Sequence, residues 1–216
     1  MNLPELQFVS IAPDPNTSLG WRFDNVVPNE IRPIILNYLQ PAQEQDRCFS
    51  PMRTVTIEPF QIASETFPWE SLLEWDDEAI DTIETLTGFC DLLDSHLKSV
   101  GLRLPTQDEL EIACGGDLFP WGNEFPDGIP YGDMTEFKKH KTPNEYNIML
   151  NSNTYNVEVT RTALKLGDGG TTVCGAYEWP IPWLSFCPAF VVSESMLKEC
   201  LTEFIEDAQI RPVMIG

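Results

Sequence analysis

Six cysteines, at positions 48, 90, 114, 174, 187 and 200, are the residues of this chain with the most scope for chemistry. A thiolate is a nucleophile and a soft metal ligand, but a free thiol needs a neighbouring Lys, Arg, His or metal to lower its pKa. No C-x-x-C occurs and no Cys/His group has zinc spacing, so reduced and mostly buried thiols are expected. Residues 166 to 197, which hold Cys174 and Cys187, contain no Lys, Arg or His. That stretch therefore offers its thiols no local activation. His96 and His140 lie far apart and flank no nucleophile, and two histidines exclude a three-histidine iron site built from this chain alone.

The acids form the second pattern. The net charge is −21, with 34 Asp and Glu against 13 Lys and Arg. Phosphate-binding surfaces need cations, so nucleic acid is not an expected partner. From Glu65 to Asp94 there are ten acids and no Lys or Arg, centred on "EWDDEAIDTIE" with Asp76, Asp77 and Glu78. Such a run is either a solvated face or a docking surface for a basic or neutral protein partner. The stretch "YEWPIPWLSF" brings Tyr177, Trp179 and Trp183 close in sequence. It reads either as a loop core or as an aromatic anchor for a partner. No apolar run approaches the roughly 20 residues of a membrane span, and no charged-then-apolar leader opens the chain. A soluble, cytoplasmic protein without a membrane partner is the expectation.

The elements that must position these residues are short. Eighteen prolines and thirteen glycines argue against a helical bundle. "MRTVTIEPFQIAS" reads as a strand with a proline bulge or edge, and "PWESLLEW" as a short helix. The apolar periodicity of Ile80, Ile83, Leu86, Phe89, Leu92, Leu93 and Leu97 predicts a helix that Gly88 could split and Gly101 could end. "TQDE" predicts a capping box at Thr106 and Glu109, with a helix running to about Cys114. Residues 117 to 185 are loop-rich, with short strands such as "YNVEVT" and "TTVCGAY". "ESMLKECLTEFIED" reads as a late amphipathic helix and "IRPVMIG" as a closing strand. Strands, two main helices and long irregular loops imply an α+β fold in one domain over residues 1–216, with residues 1–50 as an N-terminal extension.

"RLPTQDELEIACGG…FPWGNEFPDG" resembles the signature of the formylglycine-generating-enzyme family, the sulfatase-modifying-factor type of C-type-lectin-like domain. In that family a helix of R-L-P-T-E-x-E-W-E type precedes a loop with P-W-G-(N/D)-E. "VTIEPFQIASETFPWESLLEW", "TGFCDLLDSHLKSVGLRLPT", "TPNEYNIMLNSNTYNVEVT", "GDGGTTVC" and "IRPVMI" follow the family's further stretches in order, over roughly residues 53 to 216. The resemblance implies the lectin-like fold. It also implies a loop pinned by Trp121 as a buried anchor, by Gly122 in an unusual turn and by Asn123 as a hydrogen-bonding staple.

Active members of the family oxidise a substrate cysteine with oxygen and Cu(I) held by two cysteines, a donor set suited to soft thiolates. The resemblance sets Cys174 on the first of these; the second, with four residues between, is displaced to Cys187 after twelve. The family's calcium-supporting segment G-N-V-W-E-W is replaced by Tyr155-Asn156-Val157-Glu158-Val159-Thr160. Asn156 and Glu158 keep oxygens that a hard cation could use. No cofactor is expected; calcium and copper are the two the pattern leaves open. Two functions follow: a non-catalytic binding protein of accessory, chaperone or immunity type, or a divergent copper-dependent cysteine oxidase using Cys174 and Cys187.

Overall fold

Local capping chemistry sets the helices on which the rest is built. The structure, a computed structural model, describes residues 3–21, 27–38, 49–72, 83–115, 117–126, 137–150, 153–167, 169–170 and 179–216. In chain order its first elements are β1 (Phe8–Ile11), β2 (Thr17–Leu19), α1 (Arg32–Tyr38), β3 (Arg53–Val55), β4 (Phe60–Ala63) and β5 (Phe67–Pro68). Then come a 3-10 turn at Trp69–Ser71, α2 (Leu86–Lys98), β6 (Leu102–Arg103), α3 (Gln107–Ala113) and a 3-10 turn at Lys139–Lys141. The last elements are β7 (Val157–Val159), β8 (Leu164–Lys165), a 3-10 helix at Ile181–Phe186, α4 (Glu194–Glu206), β9 (Ala208–Ile210) and β10 (Val213–Met214). The class is mixed α+β, with the acids 76–78 and residues 171–178 outside the described residues.

The expected capping box at α3 is complete. The Thr106 hydroxyl accepts from the Glu109 amide at 3.1 Å, and the Glu109 carboxylate accepts from the Thr106 amide at 2.7 Å. The helix ends at Gly115, whose φ of +99° is open to glycine and strained for other residues. Gly88 does not split α2. It is the third residue of the helix, and its amide donates to the Thr85 hydroxyl at 3.1 Å. Gly101, at φ +78°, ends that region as its position predicts.

Among the described residues, three sheets follow from non-local pairing. β1, β4, β10 and β6 form an antiparallel sheet in that order; β2 pairs with β3; and β5, β9, β7 and β8 form the third, in which β7 and β9 run parallel. The expected single strand with a bulge at Pro59 is thus two strands in different sheets. Proline cannot donate to a ladder, and the chain uses the break to change partners. The described parts of residues 1–50 are built into the fold: β1 pairs along its whole length with β4, and Ile11 and Leu19 enter one core while Ile31, Ile35 and Phe49 enter the other. The larger core centres on Trp69, Phe89, Leu93, Trp183 and Ile210, the smaller on Ile62, Leu110, Ile112 and Val213.

Candidate functional site

The short 3-10 helix Ile181–Phe186 ends in Cys187, whose amide donates back to the Leu184 carbonyl at 3.0 Å. The chain then meets the N-terminal segment: the Ser50 amide donates to the Ala189 carbonyl at 2.7 Å, and Phe49 bridges Phe190. This brings Ser50 and Cys187 to the inner face of α3. There Glu111, 2% exposed, accepts three donors at one oxygen: Ser50 Oγ at 2.7 Å, Lys165 Nζ at 2.9 Å and Arg53 at 3.2 Å. Arg53 also binds Asp108 one turn back on the helix. Lys165 is fully buried, which lowers its pKa, while the Glu111 carboxylate pulls in the other direction.

Lys165 lies one residue outside the stretch that the sequence shows to be free of cations, and its charge does act on Cys187. It does not win. Burial pushes the Cys187 thiol up to about 12, against the smaller lowering effects of the Ala189 backbone and of Lys165. At neutral pH the thiol therefore stays protonated and inert. A cavity of about 20 Å³ touches Glu111 and Cys187, together with Trp21, Asp117 and Ala189. It has room for about one water molecule and none for a peptide. Cys174, the other half of the expected copper pair, and Tyr177 lie outside the described residues. Cys90 and Cys114 are also buried thiols with raised pKa values, set first by burial.

The segment resembling a calcium site is occupied by a cation of the protein's own. Glu158, fully buried in β7, takes Arg211 in a two-pronged pair, Nε to Oε2 and Nη2 to Oε1, both at 2.9 Å. Arg211 also donates to the Ala63 and Met149 carbonyls at 2.9 and 2.7 Å. Glu158 thus serves a salt bridge between β7 and the turn after β9. Asn156, half-buried, donates its amide to the Asn153 carbonyl at 3.1 Å. Tyr155 lies on Gly170, where an added Cβ would come 2.4 Å from its ring. Among the described residues no group of three His, Cys, Asp or Glu could hold a metal ion.

The P-W-G-N-E loop answers the expectation with one change. Gly122 has φ +108°, and Asn123 accepts from the Leu118 amide at 3.0 Å while donating to Asp117 at 3.0 Å. Trp121 is half-buried rather than buried: it stacks on Phe119 at 4.7 Å and donates to the Glu124 carbonyl at 2.8 Å. Trp183, one of the aromatic candidates for a partner, is instead fully buried in the same aromatic cluster, against Trp121, Phe137 and Phe186. Trp179 is half-buried, and its indole N–H donates to the Pro126 carbonyl. His140 sits in this cluster, 4% exposed, with both ring nitrogens lacking a hydrogen bond of good geometry among the described residues. Burial lowers its pKa to about 4, helped by Lys141 and opposed by the Phe137 backbone.

Glu111, Lys165 and Arg211 are not among the candidates that the sequence offers. Their signal is a charge set among apolar neighbours, as in "LEIAC" and "ALKL", where a solvated face would show more than one polar residue per turn; His140, flanked by Lys139 and Lys141, carries no such signal. Comparison with family models, with curated proteins and with solved structures yields no match.

Proposed function

We propose that this chain is a non-catalytic binding protein, a divergent relative of the formylglycine-generating enzymes with a C-type-lectin-like fold, which engages a protein partner of basic or neutral character through its acidic surface. Accessory, chaperone or immunity-type roles all fit such a protein. One observation carries the reading: every buried charge among the described residues is matched internally, Glu109 by Arg103, Glu111 by Lys165 and Arg53, and Glu158 by Arg211. Each buried carboxylate of the described residues thus has a cation beside it, and on this reading the chain's net −21 is carried on its surface. A surface so charged steers cationic partners and repels copies of itself. The protonated, enclosed Cys187 supports the non-catalytic half of the reading.

The test is Cu(I) affinity of the reduced chain, by competition with a chromogenic chelator, beside Cys174→Ser. Weak binding, equal in both proteins, supports a binding protein. Tight one-to-one binding that is lost in the variant overturns it in favour of a copper-dependent cysteine oxidase using Cys174 and Cys187.

A further inference from the structure

Between the first turn of α2 and the middle of α4 runs a groove of about 630 Å³. Its floor is Ile83, Leu86, Leu197, Cys200 and Leu201, all half-buried and resting on the larger core. Leu197, Cys200 and Leu201 line it from α4. α4 leaves helical geometry at Cys200 (φ −134°, ψ 28°), in the middle of the groove wall.

The rim is charged and one-sided. Glu84, Glu199 and Glu203 are exposed on it, with Lys198 the one cation in the lining. None of the three carboxylates has an ion-pair partner among the described residues, and Glu199 and Glu203 stand on either side of the break at Cys200. Both line the groove, and both act on the Cys200 thiol, whose pKa is raised first by burial and then by these carboxylates. A solvated helix face would gain by alternating its charges. This one keeps uncompensated acids beside an apolar floor.

We propose that the α2–α4 groove seats an amphipathic helix of a partner protein, its leucine-like side chains on the floor and its Lys or Arg side chains on Glu84, Glu199 and Glu203. Helix-in-groove recognition of this kind reads apolar anchors at i, i+3 or i+4, and i+7. The proposal rests on the acidic-surface reading above and gives that surface a place and a partner chemistry.

The probe is a fluorescein-labelled 18-residue peptide of Leu and Lys alone, with Leu at helical spacing, followed by anisotropy. The wild type is expected to bind it saturably and one to one. Glu199→Gln/Glu203→Gln and Glu199→Lys/Glu203→Lys should weaken binding in that order, the second at least ten-fold. Glu5→Lys/Glu30→Lys makes the same change of charge at exposed sites away from the groove and should shift affinity less than three-fold. Thermal melts identify any variant that fails to fold, and the milder glutamine pair keeps the comparison intact if the lysine pair does. Equal weakening by the groove and control pairs overturns the groove while leaving the acidic-surface reading standing. No saturable binding by the wild type also overturns the groove. In that case retained affinity for poly-lysine keeps the wider reading, and its loss removes both.

Discussion

Arg211 shows how one residue can decide the stability of this fold. Its guanidinium is fully buried and joins Glu158 to the Ala63 and Met149 carbonyls, so it ties β7, β4 and the loop before β7 together. Breaking a buried pair leaves a charge with no solvent and no partner, at a cost of about 3–5 kcal/mol. Glu158→Gln keeps the shape and removes the charge, and is expected to lower unfolding stability by that amount in urea titrations. Glu158→Leu/Arg211→Met should recover only part of it, because the two carbonyls still lose their donors. His140 makes the second residue-scale case. Its folded pKa of about 4 lies below the ordinary value of 6.5, so the folded state binds fewer protons than the unfolded one. Its contribution is in place above pH 6.5 and is lost as pH falls toward 4, on the order of 3 kcal/mol in total. Stability measured against pH should therefore fall through that window, and His140→Phe should flatten it; an unchanged slope in the variant would show that other groups titrate there. The sequence displays Thr106 and Glu109 plainly because their chemistry is three residues apart. Arg211 and Glu158 are separated by 53 residues, and nothing local announces the pair.

Elements here are short, and their ends carry more than their middles. α3 has seven residues, yet Glu109 closes its capping box and also takes Arg103 in two bonds of 2.6 and 2.7 Å. Burial works to raise the Glu109 pKa, but the Arg103 and Thr106 hydrogen bonds outweigh it and hold the carboxyl below its usual range. Thr106→Ala removes one cap bond and should cost about 1 kcal/mol. Glu109→Gln strands Arg103 as well and should cost visibly more in the same denaturant series. The order of these two losses is the check, since a helix held by packing alone would show them equal. The capping signals, Gly101 and the late helix α4 were all legible, because each depends on neighbours in sequence. The division of residues 53–63 into two strands was not: proline marks a break in a ladder but not which sheet takes the chain afterwards. Nor was β1, which has only four residues and whose partner β4 lies about fifty residues away.

At the scale of the whole molecule, charge is the property that composition does reveal and folding then distributes. The buried carboxylates of the described residues are each paired with a cation, so screening acts mainly on charges at the surface. Raising salt from about 0.1 to about 1 M shortens the screening length from about 10 to about 3 Å. The buried pairs lie within that shorter distance and out of solvent, and should feel little of it. Surface acids, by contrast, repel across many ångströms and oppose the compact state. Added sodium chloride should therefore raise the thermal midpoint by several degrees while weakening capture of a cationic partner, two opposite responses from one cause. Calorimetry and anisotropy on the same samples give both. A midpoint that falls with salt would mean that attractive surface pairs, such as Lys139 with Glu124 and Lys98 with Asp94, outweigh the excess of acid. Three of the four ends are exposed, Asp94 being half-buried, which makes that outcome the less expected one, because solvent-facing pairs are worth at most about 1 kcal/mol each.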